Sequence, residues 1–347
     1  MTADRIASHV AVLIVGFRNP ADIVTCLTGL SKAAIAPGFD VFICENGGQP
    51  AYERLARDLV DHGLCVAAND EPGPFDTGTS RFTDIGELQF TARPSRVWIG
   101  CAAENLGYAG GINAWLGPLL ELGGWKGVWI LNPDTTPEAH ALAALVTRAE
   151  TAGKGMIGST IVDDDRPEHV RFRGGLHWQR IAPRSVPIGL GDHLGAPHDL
   201  VSIEDAMDSP SGASMYVTRA CVEAIGLMDE RYFLFFEDLD WGMRAKPLGL
   251  GYASASIVSH GRGTTTGSAK DPAAIPKLTV YLEHRNGVHF VRRFFPWALP
   301  ARIAVSLMYA VRFLLQGAPN NFWASVEGVW AGLKGEIGRP DWHRQST

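Results

Sequence analysis

Cysteine is scarce in this sequence and scattered: Cys26, Cys44, Cys65, Cys101 and Cys221, with no Cys-x-x-Cys pair among them. That spacing excludes a zinc ribbon and a disulfide framework, and suits reduced core residues in a cytosolic protein. Strong charge of one sign is also missing. The formal net charge is -6 at pH 7, so no global field draws in nucleic acid, and any phosphate site must be local. No run of about 18 or more uncharged apolar residues occurs, so no transmembrane span is expected. Val10 to Val15 is short, follows Asp4 and lacks a small-residue cleavage pattern, which reads as a first buried strand rather than a signal peptide. His169, His177, His193 and His198 have no tight metal-ligand spacing.

What is present is an ordinary globular composition, 46% hydrophobic and 20% charged, in a chain long enough to bury a core as one large domain or two. Val10 to Gly16 reads as a strand. Asn19 and Pro20 then open a helix with Ile23, Leu27 and Leu30 on one face. Val41 to Cys44 is a second strand, closed by Glu45-Asn46-Gly47-Gly48; a helix over Tyr52 to Asp61 and a third strand over Leu64 to Ala68 follow. This alternation predicts an α/β fold with helices on both faces of a mostly parallel sheet. Ligands bind at the carboxyl ends of such strands, where Arg18 and Glu45 lie. Residues 69 to 96, rich in Pro, Gly, Asp and Thr, read as an inserted loop or hairpin with strand character only at Leu88 to Thr91.

Val97 to Cys101 resumes the sheet. Glu104 to Asn113 is a glycine-rich turn feeding a helix, an arrangement that brings backbone N–H groups close to a phosphate or ribose, though glycines also serve tight turns. Gly127 to Leu131 is a strand, followed by Asn132-Pro133-Asp134. Thr135 and Glu138 have capping-box spacing for the next helix, which leaves Asp134 free to bind a hard cation. Ile157 to Ile161 is another strand. Residues 163 to 208 are expected to be irregular or a small antiparallel layer beside the cleft, with Asp163-Asp164-Asp165 a solvated turn. Ser211 to Val217 returns to strand, and Thr218 to Gly226 is a short helix ending in glycine. Phe233 to Phe236 is apolar enough to be buried and delivers Glu237, Asp238 and Asp240 at its end. Like charges this close repel, so the run reads either as the floor of a polar cleft or as an exposed acidic turn after a core strand.

Seven stretches in order carry a family resemblance: Val-Leu-Ile-Val-Gly-Phe, Glu-Asn-Gly-Gly, Asn-Leu-Gly-Tyr-Ala-Gly-Gly-Ile-Asn, Leu-Asn-Pro-Asp-Thr, Ser-Gly-Ala-Ser-Met, Phe-Phe-Glu-Asp-Leu-Asp-Trp and Ser-His-Gly-Arg-Gly. Over roughly residues 8 to 290 the chain resembles a family 2 glycosyltransferase of the GT-A fold, in the rhamnosyltransferase-like and galactofuranosyltransferase-like branch. The resemblance implies a Rossmann-like catalytic domain over residues 1 to 268 and a C-terminal helical extension over 269 to 347. It implies a nucleotide-diphosphate sugar donor, UDP- or dTDP-linked, and a glycan or lipid-linked acceptor in surface polysaccharide or glycolipid synthesis. Asp238 matches the catalytic base, beside Glu237, Asp240 and Trp241 as acceptor-side residues. Asp134 and His260 match ligands of Mn²⁺ or Mg²⁺. Phe17, Arg18, Glu45, Asn105, Gly107, Gly110, Gly111 and Asn132 fall at nucleotide-binding positions, and Arg262 in a loop over the diphosphate. Relatives usually carry Asn, Asp and Asp where this chain has Arg18, Glu45 and Asn132.

Those departures keep open a catalytically weak sugar-nucleotide-binding scaffold, and a third reading is a sugar-nucleotide pyrophosphorylase, which shares the sheet architecture and the metal. The latter needs a basic glycine-rich N-terminal loop, and Val10 to Pro20 offers only Gly16 and Arg18. Phe290 to Phe295, Trp297 to Leu315 and Phe322 to Leu333 are apolar, aromatic and punctuated by arginine. Such helices either lie in a membrane interface, on its cytoplasmic face, or pack on the catalytic domain or a second copy in a homo-oligomer.

Overall fold

The computed structural model describes residues 10–68, 74–75, 77–78, 81–261 and 271–344. Strands and helices alternate first, as β1 (Val10–Gly16), α1 (Pro20–Ser31), β2 (Phe39–Glu45), α2 (Gln49–Asp61) and β3 (Cys65–Ala67). Next come β4 (Phe82–Phe90), β5 (Arg96–Ala102), α3 (Gly107–Leu122), β6 (Gly127–Leu131), β7 (Thr135–Pro137), α4 (Ala141–Ala152) and β8 (Met156–Asp163). A polar stretch holds β9 (Arg166–Arg173), β10 (Gly175–Gln179), β11 (Arg184–Pro187), α5 (Leu200–Ala206) and β12 (Ser209–Pro210). The chain then re-enters the sheet through β13 (Ser214–Thr218), α6 (Arg219–Ile225), α7 (Glu237–Ala245) and β14 (Leu250–His260), before α8 (Lys277–Phe294), α9 (Leu299–Leu315) and α10 (Pro319–Lys334).

The strands order as β3-β4-β5-β2-β1-β6-β13-β8-β14-β7, with β9 on β8. Side chains alternate across β1: Val10, Val12 and Ile14 enter one core with α1, α2 and α4, while Ala11 and Leu13 enter another with α3. Burial on both faces is what the near-continuous apolar runs required. The block β5-β2-β1-β6 is parallel, as expected. Outside it the sheet is mixed, because β13 runs antiparallel between β6 and β8. The inserted stretch supplies the nine-residue β4, which pairs antiparallel with β5 and β3; β3 is therefore an edge strand and not the next parallel one.

Three local expectations fail for identifiable reasons. Asn19 sits at the start of α1, but its side chain accepts from the Phe17 N–H and donates to Asp22 instead of capping. Thr135 and Glu138 form no capping box: Thr135–Pro137 is β7, paired antiparallel with β14, and α4 begins only at Ala141. Phe233–Phe236 is not a strand. Phe233, Phe235 and Phe236 have φ of 67°, 69° and 75°, and the acids after them open α7. Within the polar stretch β9 joins the main sheet on β8, while β10 and β11 form a small antiparallel sheet with β12.

The last helices pack closely through small residues. On α10 the inward positions include Ala324, Ser325, Gly328, Ala331 and Gly332. A Cβ at Gly328 would lie 2.4 Å from the Tyr281 carbonyl oxygen on α8, so the two helices meet backbone to backbone. Gly328→Val must push them apart; it is expected to lower the unfolding free energy by about 1–3 kcal/mol, measured by chemical denaturation, and an unchanged midpoint would contradict the close approach.

Candidate active site

Pairing of β7 with β14 sets His260 opposite Thr135 and so beside Asp134. The His260 Nε2 and Asp134 Oδ1 atoms are 3.2 Å apart, both side chains about one-sixth exposed. The turn is tied from both sides, as the Gly261 N–H donates to the Asp134 carbonyl and Arg171 to the His260 carbonyl. One carboxylate and one imidazole at that separation suit adjacent positions around a divalent cation. Among the described residues no third acidic, histidine or cysteine side chain joins them, so the remaining ligands would come from substrate and solvent. The donor set fits a cation shared with a bound anion.

Asp238 lies in the first turn of α7. Its Oδ2 accepts from the Gly212 N–H at 3.1 Å and its Oδ1 from the Leu239 N–H at 2.7 Å. A Cβ at position 212 would sit 2.7 Å from that Oδ2, so glycine is what lets the carboxylate approach. Burial pushes the Asp238 carboxyl above its ordinary value, with the two backbone N–H groups opposing. Between Asp238 and Asp134 stands Tyr108, which the sequence reading passed over. Its hydroxyl donates to Asn132 Oδ1 at 2.8 Å and lies 3.0 Å from the Gly212 carbonyl oxygen. Burial raises its pKa well above the ordinary value, and the charges of Glu237, Asp238 and Asp134 add to the rise. A hydroxyl-bearing side chain inside a glycine motif was the available signal.

The nucleotide-side residues converge as well. Glu45 is fully buried; its Oε1 accepts from the N–H groups of Arg18 and Gly47 at 3.0 and 2.7 Å, and its Oε2 has no hydrogen-bond partner among the described residues. Burial raises its pKa. Arg18 has φ 57°, with its guanidinium over the Phe17 ring and near the Gly47 carbonyl. Asn46, not singled out from sequence, accepts from the Leu106 N–H and donates to the Gly107 carbonyl, joining the end of β2 to the glycine turn. Asn105 caps that turn locally through the Gly107 N–H. Gly107 has φ +72°, and a Cβ there would fall 2.2 Å from the Phe233 carbonyl oxygen.

Other expected residues are placed elsewhere. Gly110 and Gly111 are buried in α3, where a Cβ would press on Leu106 and Val15; they serve helix packing. Asp240 is fully buried and ion-paired to Arg244 and Arg293, with the Tyr232 hydroxyl donating to it. Trp241 is fully buried, its indole N–H donating to the Gly226 carbonyl. Neither faces the cleft. For Asp240 the reason is helical geometry, since at about 100° per residue it points to the side of α7 opposite Asp238; Trp241 is instead taken up by the core that α3 also packs into. Arg262 lies outside the described residues.

The loop before α7 is held by α8. Asn286 Nδ2 donates to the carbonyls of Tyr232, Leu234 and Phe235 at 2.8–3.0 Å, and Arg285 donates to those of Arg231 and Tyr232. Both side chains are buried. On the other side, Asn113 binds the backbone of Met228 in both directions. Left-handed φ at non-glycine residues costs about 1–3 kcal/mol each and persists only where surrounding contacts enforce it.

Glu237 is buried beside Asp238, and its Oε2 has no partner among the described residues. Burial first, then Asp238, pushes its carboxyl well above the ordinary 4.5. Between the unfolded and the folded pKa, the folded state binds a proton on Glu237 that the unfolded chain has released. Stability falls as pH rises from the unfolded pKa through the folded one. Glu237→Gln is expected to flatten this slope and stabilise the protein at neutral pH relative to wild type, read from unfolding midpoints at pH 5 and pH 8; equal slopes would contradict a buried, proton-holding Glu237.

The model of the family described as glycosyltransferase like family 2 matches residues 7–286. The N-acetylglucosaminyl-diphospho-decaprenol L-rhamnosyltransferase of Mycobacterium tuberculosis is 27% identical over 263 residues, 65% of this chain and 78% of that protein. The low-salt glycan biosynthesis hexosyltransferase Agl10 of Haloferax volcanii is 21% identical over 252 residues, 68% and 76% of the two chains. Among solved structures, the mannosyltransferase PcManGT of Pyrobaculum calidifontis, in complex with GDP-Man and Mn²⁺, is similar over 93% of this chain and 86% of its own, with 13% identity and a TM-score of 0.49. The chain belongs to the glycosyltransferase family 2 enzymes.

Proposed function

We propose that this glycosyltransferase moves a sugar from a nucleotide-diphosphate donor to a hydroxyl of a lipid-linked glycan, inverting the anomeric carbon, with Asp238 as general base. The observation that carries the reading is the convergence of Asp238, Tyr108, Asn132 and the Asp134–His260 pair on one site. Asp238 is half-buried with its carboxylate aimed by two N–H groups and its pKa raised toward the working range of a base. It takes the acceptor proton as the acceptor oxygen bonds to the anomeric carbon and the bond to the donor's diphosphate breaks. Tyr108 holds the Asn132 side chain in place beside Asp134. The partnerless Glu45 Oε2 can accept a hydrogen bond from a base N–H or a ribose hydroxyl. Asp134 and His260 would hold Mn²⁺ or Mg²⁺, which supplies neutralisation of charge on the departing diphosphate. UDP- or dTDP-linked donors fit the resemblance, and the relative named as an L-rhamnosyltransferase favours dTDP-rhamnose. A lipid-linked acceptor would set the reaction at the cytoplasmic face of a membrane.

Asp238→Asn should lower kcat by about 10²–10⁴-fold while donor affinity by calorimetry stays near wild type; unchanged turnover would remove Asp238 as the base. Thermal stabilisation by UDP, dTDP, GDP and ADP, each with and without Mn²⁺, should select one nucleotide, adding roughly 2.7 kcal/mol at about 100 times its Kd. Asp134→Ala and His260→Ala should each cost at least about tenfold in that Mn²⁺-dependent affinity, and an undiminished Mn²⁺ effect in both would sink the proposed cation site. Asn286→Asp keeps the shape of the side chain but removes its N–H donors from the loop that leads to Asp238. It should lower kcat by about 10²-fold with donor KM nearly unchanged, whereas a purely structural role would show as lost folded protein with normal kcat.

A further inference from the structure

The helix α9 is inside out. Its buried positions are Arg302, Ser306 and Ala310, while Ala304, Leu307, Met308, Val311, Leu314 and Leu315 are all exposed, Met308 to 61% and Leu315 to 82%. At about 100° per residue these outward residues fall on one continuous face. A soluble surface helix carries the opposite arrangement. The neighbouring α10 repeats the inversion, with its small residues inward and Trp323 and Trp330 outward at 59% and 58% exposure. Trp297, just before α9, is 66% exposed. Contiguous exposed apolar area of this kind marks a partner surface.

Charge selects among partners. Residues 277 to 334 contain seven lysines and arginines against two glutamates, in a chain whose formal net charge is -6, and α9 itself carries no acid. Arg285 and Arg302 are buried and Lys277, Arg293 and Lys334 have acidic partners, which leaves Arg292 and, on α9 itself, Arg312 as exposed cations with no acidic partner among the described residues. A two-fold contact with a second copy would set this positive surface against itself, whereas an anionic lipid surface complements it and takes the apolar face below its headgroups. Outward tryptophans suit the same boundary, with an apolar ring and a polar N–H. By length and composition Pro296–Leu315 could also cross a membrane. The attachment of α9 opposes that: Arg302 is buried and donates to the Pro183 and Glu283 carbonyls at 3.0 and 3.1 Å, fastening the helix along the protein body.

We propose that the outward face of α9, flanked by Trp297, Trp323 and Trp330, seats the protein on an anionic lipid bilayer with α9 lying in the interface plane. The surface deepens the transferase reading, which needs access to a lipid-linked acceptor, but its geometry is independent of the catalytic groups. The test is flotation of the full chain with vesicles of equal parts phosphatidylglycerol and phosphatidylcholine, compared with phosphatidylcholine alone. Wild type should float with the anionic vesicles, at least about tenfold more than with the zwitterionic ones and tenfold more than Leu307→Ser/Val311→Ser/Leu314→Ser/Leu315→Ser. A Trp323→Ala/Trp330→Ala variant, remote from those four changes, should also float less. Nucleotide-induced thermal stabilisation of both variants should match wild type, showing that they are folded and separating failure of this surface from failure of the donor site. Equal flotation of the fourfold variant, or no flotation of wild type, overturns the proposal. So does retention in the membrane through alkaline carbonate, which would mean a span, or a dimer in ultracentrifugation that the fourfold variant abolishes without any vesicle binding.

Discussion

The aim of Asp238 depends on one set of hydrogen bonds: the buried Asn286 and Arg285 side chains of α8 gripping the carbonyls of Arg231, Tyr232, Leu234 and Phe235. Three phenylalanines in this stretch or just beyond it hold left-handed backbone angles that an isolated chain would abandon. The carbonyls of Leu234 and Phe235 would lose the partner that Asn286 gives them if α8 were absent, and unmet buried carbonyls are costly. With the grip in place, the loop presents its Phe233 carbonyl to the Tyr108 N–H and starts α7 where Asp238 meets Gly212. The C-terminal helices are therefore part of what aims the base.

A second constraint is close approach. Gly107 and Gly212 leave no room for a Cβ beside Phe233 and Asp238, and Asn46 and Asn113 lock the glycine-rich segment to β2 and to the loop. The motif that reads as a phosphate cradle works here largely as a joint between three chain segments. Tyr108 is the part of it that reaches the chemistry, because its hydroxyl donates to Asn132 and the charges of Asp134, Glu237 and Asp238 act on it.

The carboxylates of the acidic run divide by surroundings. Asp240 is neutralised by two arginines and belongs to the fold. Among the described residues Asp238 has N–H donors but no cation and Glu237 has a partnerless oxygen, and burial pushes the pKa of both upward. Neighbours in sequence thus do different work because α7 turns them toward different environments.

The sequence by itself determined the parallel core, since apolar runs buried on both faces, alternating with one-faced helical periods, admit little else. A family resemblance carried by an ordered set of motifs also implied that Asp134 and His260 share a site, and the fold sets them 3.2 Å apart. Tertiary structure alone decided that Phe233–Phe236 is a strained loop, that Thr135 joins a strand, and that Asp240 and Trp241 turn inward. Each of those outcomes rests on partners far along the chain, such as Asn286 for the loop, β14 for Thr135 and Arg293 for Asp240. Local propensity carries no information about a partner fifty or a hundred residues away, and there the burial of backbone and charge, not the local pattern, sets the conformation.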